Sequence, residues 1–419
     1  MSNGAKFPKT GRSWADIEGD LDRLVSNESF WRPENRLMTG IHKGSPETFE
    51  IIEKAYMKLF HYNGLLADME HGGVGRMQDE LLGWTADLLN GGKDARASMM
   101  TGGTEAIFCG LHAAREWAKA TRPDIKGPYQ VVAPWSIHAT FSKGAHYLGL
   151  EVIRVPLGDD LRGDVAAMEK AITPNTIMLA GSAPSWGIGR VDPIEQIAKL
   201  AKDRGLWMHV DACVGGFLLP FMERCGEDIP LWDFRVPGVC TISADLHKHG
   251  YAAKPASTLS FRNEELQNFS FAGAVVSDWQ SGAYKSHGFV GSRPGGAISA
   301  AWAVMSYLGE EGYTKLTRKL IDTRNWMIEE IESIEDYKVL RNHCLMMPFR
   351  SETLDMLRVL GGLVERGYFP WGTMEPLMVH PSAELVDESV NRKFIADLKE
   401  VTSGVKSGEI TAEALATYI

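Results

Sequence analysis

The sequence predicts an α/β fold, a mostly parallel sheet flanked by helices, with a smaller α+β unit toward the C-terminus. Three observations carry that prediction. From Tyr129 onward, short apolar runs alternate with amphipathic stretches, the pattern of βαβ units. The 419 residues exceed the roughly 250–300 at which a single core stops growing, so more than one packed unit is expected. The C-terminal part opens with two helical patterns, YTKLTRKLIDTRNWMIEEI and LDMLRVLGGLVERG.

Taken in order, YQVVAP reads as a strand, HATFSKGAHYLG as a helix, LEVIRVPL as a strand and VAAMEKAI as a helix. TIMLAGSAP then reads as a strand, IEQIAKLAKDRG as a helix, and LWMHVDA and VCTISAD as two further strands. The expected division is an N-terminal segment over 1–60, a large unit over 61–309 and a small C-terminal unit over 310–419. No period of 20–50 residues recurs, which excludes a solenoid. In open sheets of this type ligands sit outside the carboxyl ends of the strands, so polar residues just past each strand are the candidates for function.

Composition narrows the function classes. The chain carries 44 Lys plus Arg against 54 Asp plus Glu, a formal net charge of −10, so the basic footprint of a nucleic-acid binder is absent. The start MSNGAKFPKTGRSW has no apolar core of a secretory signal, and the run from Ala297 to Leu308 is shorter than the roughly 20 residues that span a bilayer. No membrane anchor is expected. Five scattered cysteines without a CxxC pair argue against a disulfide framework or a metal site and for a reducing cytoplasm.

Four constellations carry chemistry. Gly102, Gly103 and Thr104, within TGGTEA, form a turn that opens a helix whose apolar face is Ile107, Leu111, Ala114 and Trp117 or Ala118. Backbone N–H groups and the positive helix end suit a phosphate there, although alone such a turn serves equally as a simple cap. Asp211 ends the apolar strand LWMHV, where an acid would hold a pyridine nitrogen protonated and make the ring an electron sink. Lys248 lies 37 residues further on, past the next strand, flanked by His247 and His249. A lysine so placed is a candidate for covalent Schiff-base catalysis. His138, in APWSIHATF, again follows a strand.

A phosphate turn, then a His, an Asp and a Lys, each after a separate strand, together resemble a pyridoxal-phosphate enzyme of fold type I. The motifs TGGTEA, APWSIHATF, VIRVPL, HVDACVGGF, DFRVPGVCTISADLHKHGYAAK, SDWQSGAY and GSRPGGAISAAWA closely resemble the sphingosine-1-phosphate lyase family. That family lies within the group II pyridoxal-phosphate-dependent decarboxylases, and the resemblance runs from about Leu89 to Tyr313. It implies the pyridoxal-phosphate-dependent transferase fold type I, with a seven-stranded, mostly parallel sheet and a smaller C-terminal α+β domain. It implies pyridoxal 5′-phosphate as cofactor, Lys248 as the Schiff-base lysine, Asp211 as partner of the pyridinium nitrogen and His138 as the imidazole stacked on the ring. Gly102, Gly103 and Thr104, assisted by His247, match the cofactor-phosphate turn. Gly291, Ser292 and Arg293 match a loop that reaches the neighbouring subunit's cofactor, which implies a homodimer with shared active sites.

Two chemistries compete on this scaffold. A carbon–carbon lyase breaks Cα–Cβ of a 2-amino-3-hydroxy compound by retro-aldol cleavage and releases an aldehyde and an amine; an L-amino-acid decarboxylase breaks Cα–COO⁻. Lys254, six residues after Lys248, matches the lyases' lysine for the substrate phosphate and favours the first. Where those lyases carry an Asn-Pro-Leu-His run, this chain reads NGLLADMEH from Asn63, with His71 or His61 as the replacement for the lost His. The His is lost to Ala67 unless one of those two substitutes, which leaves open whether the substrate is phosphorylated; together with the expected lack of an anchor, the altered run points to a smaller amino compound. Trp186 stands at a strand end where the family has Phe or Tyr and would reshape the pocket, and Tyr251 and Tyr284 are candidates to move a proton. A non-catalytic dimeric binding module is the third hypothesis, and Lys248, Asp211 and His138 together argue against it.

Overall fold

Seven strands assemble one sheet: β1 (Arg96–Met100), β2 (Tyr129–Pro134), β3 (Leu150–Val155), β4 (Thr176–Ser182), β5 (Trp207–Asp211), β6 (Thr241–Ala244) and β7 (Ser257–Phe261). Their spatial order is β1-β7-β6-β5-β4-β2-β3. Strands β2 through β6 run parallel, whereas β7 pairs antiparallel with both β6 and β1. The computed structural model describes residues 8–27, 42, 44–69, 72–271, 275–276, 278–282, 284–286, 288–368 and 371–414.

The parallel strands are those the alternating pattern marks. RASMM and STLSF, which form β1 and β7, are too rich in serine and arginine to read as apolar runs. Two of the three β7 hydroxyls are buried with partners, Thr258 Oγ1 donating to the Ala244 carbonyl at 3.1 Å and Ser257 Oγ to Asp245 Oδ1 at 2.6 Å.

Helices are α1 (Trp14–Asn27), α2 (Pro46–Lys58), α3 (Gly72–Leu88), α4 (Gly103–Thr121), α5 (Thr140–Leu148), α6 (Val165–Ala171), α7 (Ile194–Asp203), α8 (Leu219–Arg224), α9 (Glu264–Asn268), α10 (Gly295–Glu332), α11 (Met356–Glu365) and α12 (Glu388–Ser407). A 3₁₀ turn covers Gly64–Met69. Adjacent residues on one strand serve opposite layers: Met178 joins the cluster of Ile107, Leu111 and Trp207, while Leu179 joins that of Ile197 and Met208.

The helix α10 continues across Gly309, whose φ of +53° marks a kink that a residue without Cβ adopts readily. Beyond it lies a four-stranded antiparallel sheet of β10 (Lys338–Val339), β11 (Phe349–Arg350), β12 (Trp371–Met374) and β13 (Leu377–His380), in the order β10-β11-β13-β12. A two-stranded ribbon of β8 (Val275–Val276) and β9 (Tyr284–Lys285) stands apart. Phe349, Leu360 and Leu398 of the C-terminal unit share one apolar cluster with Leu179 and Met208 of the large sheet, so the two units meet through a continuous core. Among the described residues no helix is long and apolar enough to cross a membrane. All five cysteines are unpaired.

Candidate active site

The phosphate turn forms where β1 hands over to α4. Gly102 caps the helix in an extended conformation, and Glu105 reaches back so that its Oε2 accepts from both the N–H and the hydroxyl of Thr101, each at 2.7 Å. With Gly102 offering no side-chain cap, the N–H groups of the first helical turn lack intrahelical acceptors. Gly103 must be glycine: a Cβ there would stand 2.7 Å from Cys213 Sγ and 2.9 Å from the Asp245 carboxylate. The expected apolar face is buried, with Ile107, Leu111, Ala114 and Ala118 inside and Trp117 partly so.

Asp211 ends β5 almost fully buried. Its Oδ1 accepts from the Cys213 N–H at 3.1 Å and from Ser243 Oγ at 3.3 Å, which fixes the carboxylate at the carboxyl edge of the sheet. Ser243 in turn lies 3.3 Å from His209 Nε2, and Thr241 Oγ1 lies 2.9 Å from His209 Nδ1. Burial lowers the His209 pKa to about 4, so its imidazole is neutral and supports Asp211 without competing for its charge.

Lys248 extends from the loop after β6 to Asp245, with Nζ 3.0 Å from Oδ2. Burial pulls the lysine pKa down, but the Asp245 and Asp211 carboxylates outweigh it and the shift is upward. Asp245 is nearly solvent-free, accepts from Ser257 Oγ at 2.6 Å and lies 3.7 Å from His247 Nε2. Burial alone would raise its pKa; the Lys248 and His247 charges and the Ser257 hydrogen bond hold it low. The His247 ring also accepts from the Ala256 N–H at Nδ1, 3.2 Å away, and its Cε1 faces Gly102. The turn, Asp245, His247 and Lys248 therefore share one edge of the sheet.

His138 stands past β2, where its Nδ1 accepts from the Thr140 N–H at 3.2 Å and contacts Thr140 Oγ1 at 2.9 Å. Burial lowers its pKa, with Asp211 opposing and Lys248 reinforcing the shift. A neutral ring that feels the charges of Asp211, Lys248 and Asp245 belongs to the same cluster.

The expected substrate contacts are more dispersed. Lys254 is exposed at the edge of the site; partial desolvation and then the nearby Lys248 charge lower its pKa, and it makes no ion pair among the described residues. Tyr251 is buried in the seam below the site, its ring parallel to Tyr313 at 6.0 Å. Trp186 meets the C-terminal unit, edge-on to His380 at 5.7 Å. Arg293 is held in a buried ion pair with Asp68 at 2.6 Å, and Ser292 Oγ accepts from Asn63 Nδ2 at 2.9 Å. Gly291 adjoins them, its carbonyl accepting from Arg293 at 3.3 Å, so within one chain this loop is tied to the 3₁₀ turn and the residue before it. His61 is exposed against Phe60, Tyr284 lies in β9, and His71 lies outside the described residues.

Sequence reasoning missed Asp245. The signal was present, because this acid directly follows the strand VCTISA, the position used to select Asp211.

The donor set fits pyridoxal 5′-phosphate. An amine that would hold it covalently, a buried carboxylate for its ring nitrogen, and a helix N-terminus beside a glycine whose Cβ would fill the space converge at one place. The family described as the pyridoxal-dependent decarboxylase conserved domain matches residues 64–350. Sphingosine-1-phosphate lyase 1 of Rattus norvegicus is 36% identical over 398 residues, 94% of this chain and 69% of the relative. The structure of a Burkholderia pseudomallei sphingosine-1-phosphate lyase superposes with a TM-score of 0.89 at 31% identity, covering 97% of this chain and 94% of that one. A probable L-aspartate decarboxylase of Pyrococcus abyssi is 32% identical over 339 residues, 79% of this chain and 83% of the relative.

Fold, site and likeness define a pyridoxal-phosphate-dependent lyase with the fold expected from the sequence. The chain belongs to the sphingosine-1-phosphate lyase family.

Proposed function

We propose that this enzyme cleaves the Cα–Cβ bond of a 2-amino-3-hydroxy compound bearing an anionic group, releasing an aldehyde and an amine. Lys254 is the observation that carries the reading: a solvent-reachable ammonium that makes no ion pair among the described residues, six positions from Lys248. A cation in that state is an acceptor site for a substrate anion.

Bound at this site, pyridoxal 5′-phosphate supplies an electron sink for the pair released when a bond at Cα breaks. Gly102, Gly103, Thr104 and His247 would hold its phosphate, and Asp211 would keep a proton on the ring nitrogen. His138, neutral and pinned by Thr140, would cover the ring and exclude water from one face. Lys248 must first give up the proton that Asp245 stabilises, and then act as the amine that exchanges with substrate. A base must also take the β-hydroxyl proton so that the C–O bond becomes a carbonyl as Cα–Cβ breaks; Tyr251 and Tyr284 are the sequence's candidates. Trp186 and Arg293 complete the proposed substrate-side set, with Gly291 and Ser292 on the cofactor side.

The same residues would serve an L-amino-acid decarboxylase, and the likeness to the Pyrococcus abyssi relative favours that as the second reading. Incubating the holoenzyme with sphingosine 1-phosphate and with a panel of amino acids, while measuring aldehyde and carbon dioxide, separates the two. Aldehyde release supports the lyase; carbon dioxide without aldehyde overturns it.

The assembly is proposed to be a homodimer with shared sites. Its support is an exposed aromatic patch beside Gly291 and Ser292, where Phe289 lies 6.0 Å from Phe108, itself 5.7 Å from Tyr147. A monomer by light scattering that retains full activity would contradict it. Five unpaired cysteines support a reducing, cytoplasmic setting. The kink at Gly309 supports division into a segment over 1–60, a cofactor unit over 61–309 and a C-terminal unit over 310–419.

A further inference from the structure

One polar cluster beside the site has no part in the chemistry above. His42, from the segment before α2, is buried with Nδ1 3.4 Å from Glu384 Oε1 of the C-terminal unit. Its ring lies 4.3 Å from that of His249, the residue after Lys248. Three distant stretches of chain thus meet one residue away from the covalent lysine. Both His42 ring nitrogens and His249 Nδ1 are buried without a hydrogen bond among the described residues, a costly state for an imidazole nitrogen. The 3.4 Å contact of His42 Nδ1 with Glu384 is one of charge only.

Both rings line a small cavity together with Ser382, Trp186, Leu218 and Leu345. It has room for about one water-sized group. The Glu384 carboxylate beside Nδ1 favours the His42 tautomer with its hydrogen there, which leaves Nε2 as an acceptor. His249 Nδ1 can act in either sense, and burial keeps both rings neutral. A neutral group that donates and accepts at once, such as a hydroxyl, satisfies both; a cation or an alkyl chain does not. The apolar wall of Leu218 and Leu345 and the indole of Trp186 close the space beyond.

We propose that this cavity is a substrate subsite for a terminal hydroxyl, formed by His42 and His249, and that it limits the enzyme to short, hydroxyl-ended amino substrates. The proposal rests on the lyase reading for the identity of the substrate, but its binding test does not. Three probes serve: 2-amino-1,3,4-butanetriol 1-phosphate, its methyl-ended counterpart 2-amino-1,3-butanediol 1-phosphate, and sphinganine 1-phosphate. Each is titrated into the holoenzyme and its dissociation constant is read from the change in cofactor absorbance, with aldehyde measured in parallel.

The hydroxyl-ended probe should bind at least about tenfold more tightly than the methyl-ended one. The variants His42→Phe and His249→Phe should bring that ratio to near one. A ratio near one in the unsubstituted enzyme means that the cavity holds only water and overturns the proposal, as does tightest binding of sphinganine 1-phosphate. A ratio unmoved in folded variants also overturns it. The expected binding ratio with no aldehyde from any probe would leave the subsite standing and sink the lyase reading instead.

Discussion

Asp245 and Lys248 show how two neighbours set each other's charge. Buried lysine alone would lose its proton easily; with Asp245 Oδ2 at 3.0 Å it holds it. Asp245→Asn removes that hold and lowers the lysine pKa. The pH at which apo-protein takes up cofactor covalently should therefore fall by about one unit or more, followed as absorbance against pH. An unchanged midpoint would place the control elsewhere. Lys248→Ala, by contrast, should abolish both the absorbance of covalently held cofactor and turnover, by a factor of about a thousand or more, while leaving the far-ultraviolet circular dichroism intact. Lys248, Asp211 and His138 were legible as candidates because each lies at, or in the loop just past, the carboxyl end of a strand. Asp245, the acid directly after the strand VCTISA, stands at the same kind of position. The buried pairing of His42 with His249 was not legible at all, because residues 207 positions apart meet only through the fold.

The connections between elements carry a different kind of information. Gly103 joins β1 to α4 at the point where Cys213 and Asp245 approach most closely, so Gly103→Ala should weaken cofactor binding at least tenfold by equilibrium dialysis, from overpacking rather than lost contact. The ion pair of Asp68 with Arg293 fastens the 3₁₀ turn to the loop before α10, with both side chains nearly solvent-free. Removing one partner strands a buried charge. Asp68→Ala should cost about 3–5 kcal/mol in urea unfolding, whereas an exposed pair such as Lys338 with Glu352 should cost under about 1 kcal/mol. Periodicity found the parallel strands because their burial is written as apolar runs. It missed β1 and β7 because STLSF buries polar serine and threonine side chains, Ser257 and Thr258 through hydrogen bonds, and hydrogen bonds leave no period in the sequence.

For the whole molecule, buried neutral imidazoles couple stability to pH. Burial depresses His42 and His380 to about 3 and His209 to about 4, all below the ordinary value of 6.5. In the window between 6.5 and these folded values the unfolded chain binds more protons, so stability falls as pH falls, at about 1.4 kcal/mol per pH unit for each group. Denaturant midpoints should drop steadily from pH 7 to pH 5, and His380→Gln should flatten that slope; a pH-independent midpoint would contradict the burial. The sequence by itself determined the fold class, the cofactor edge and the order of Gly102, His138, Asp211 and Lys248, because β-strand periodicity and the strand-end rule act locally. Only the tertiary structure decided that Arg293 is held by Asp68, that Tyr251 lies in the seam against Tyr313, and that His42, set beside Glu384, and His249 line one small cavity. Those outcomes depend on which distant segments share a buried space, and the cost of leaving a buried charge or imidazole unpaired is a property of that space and not of any stretch of chain.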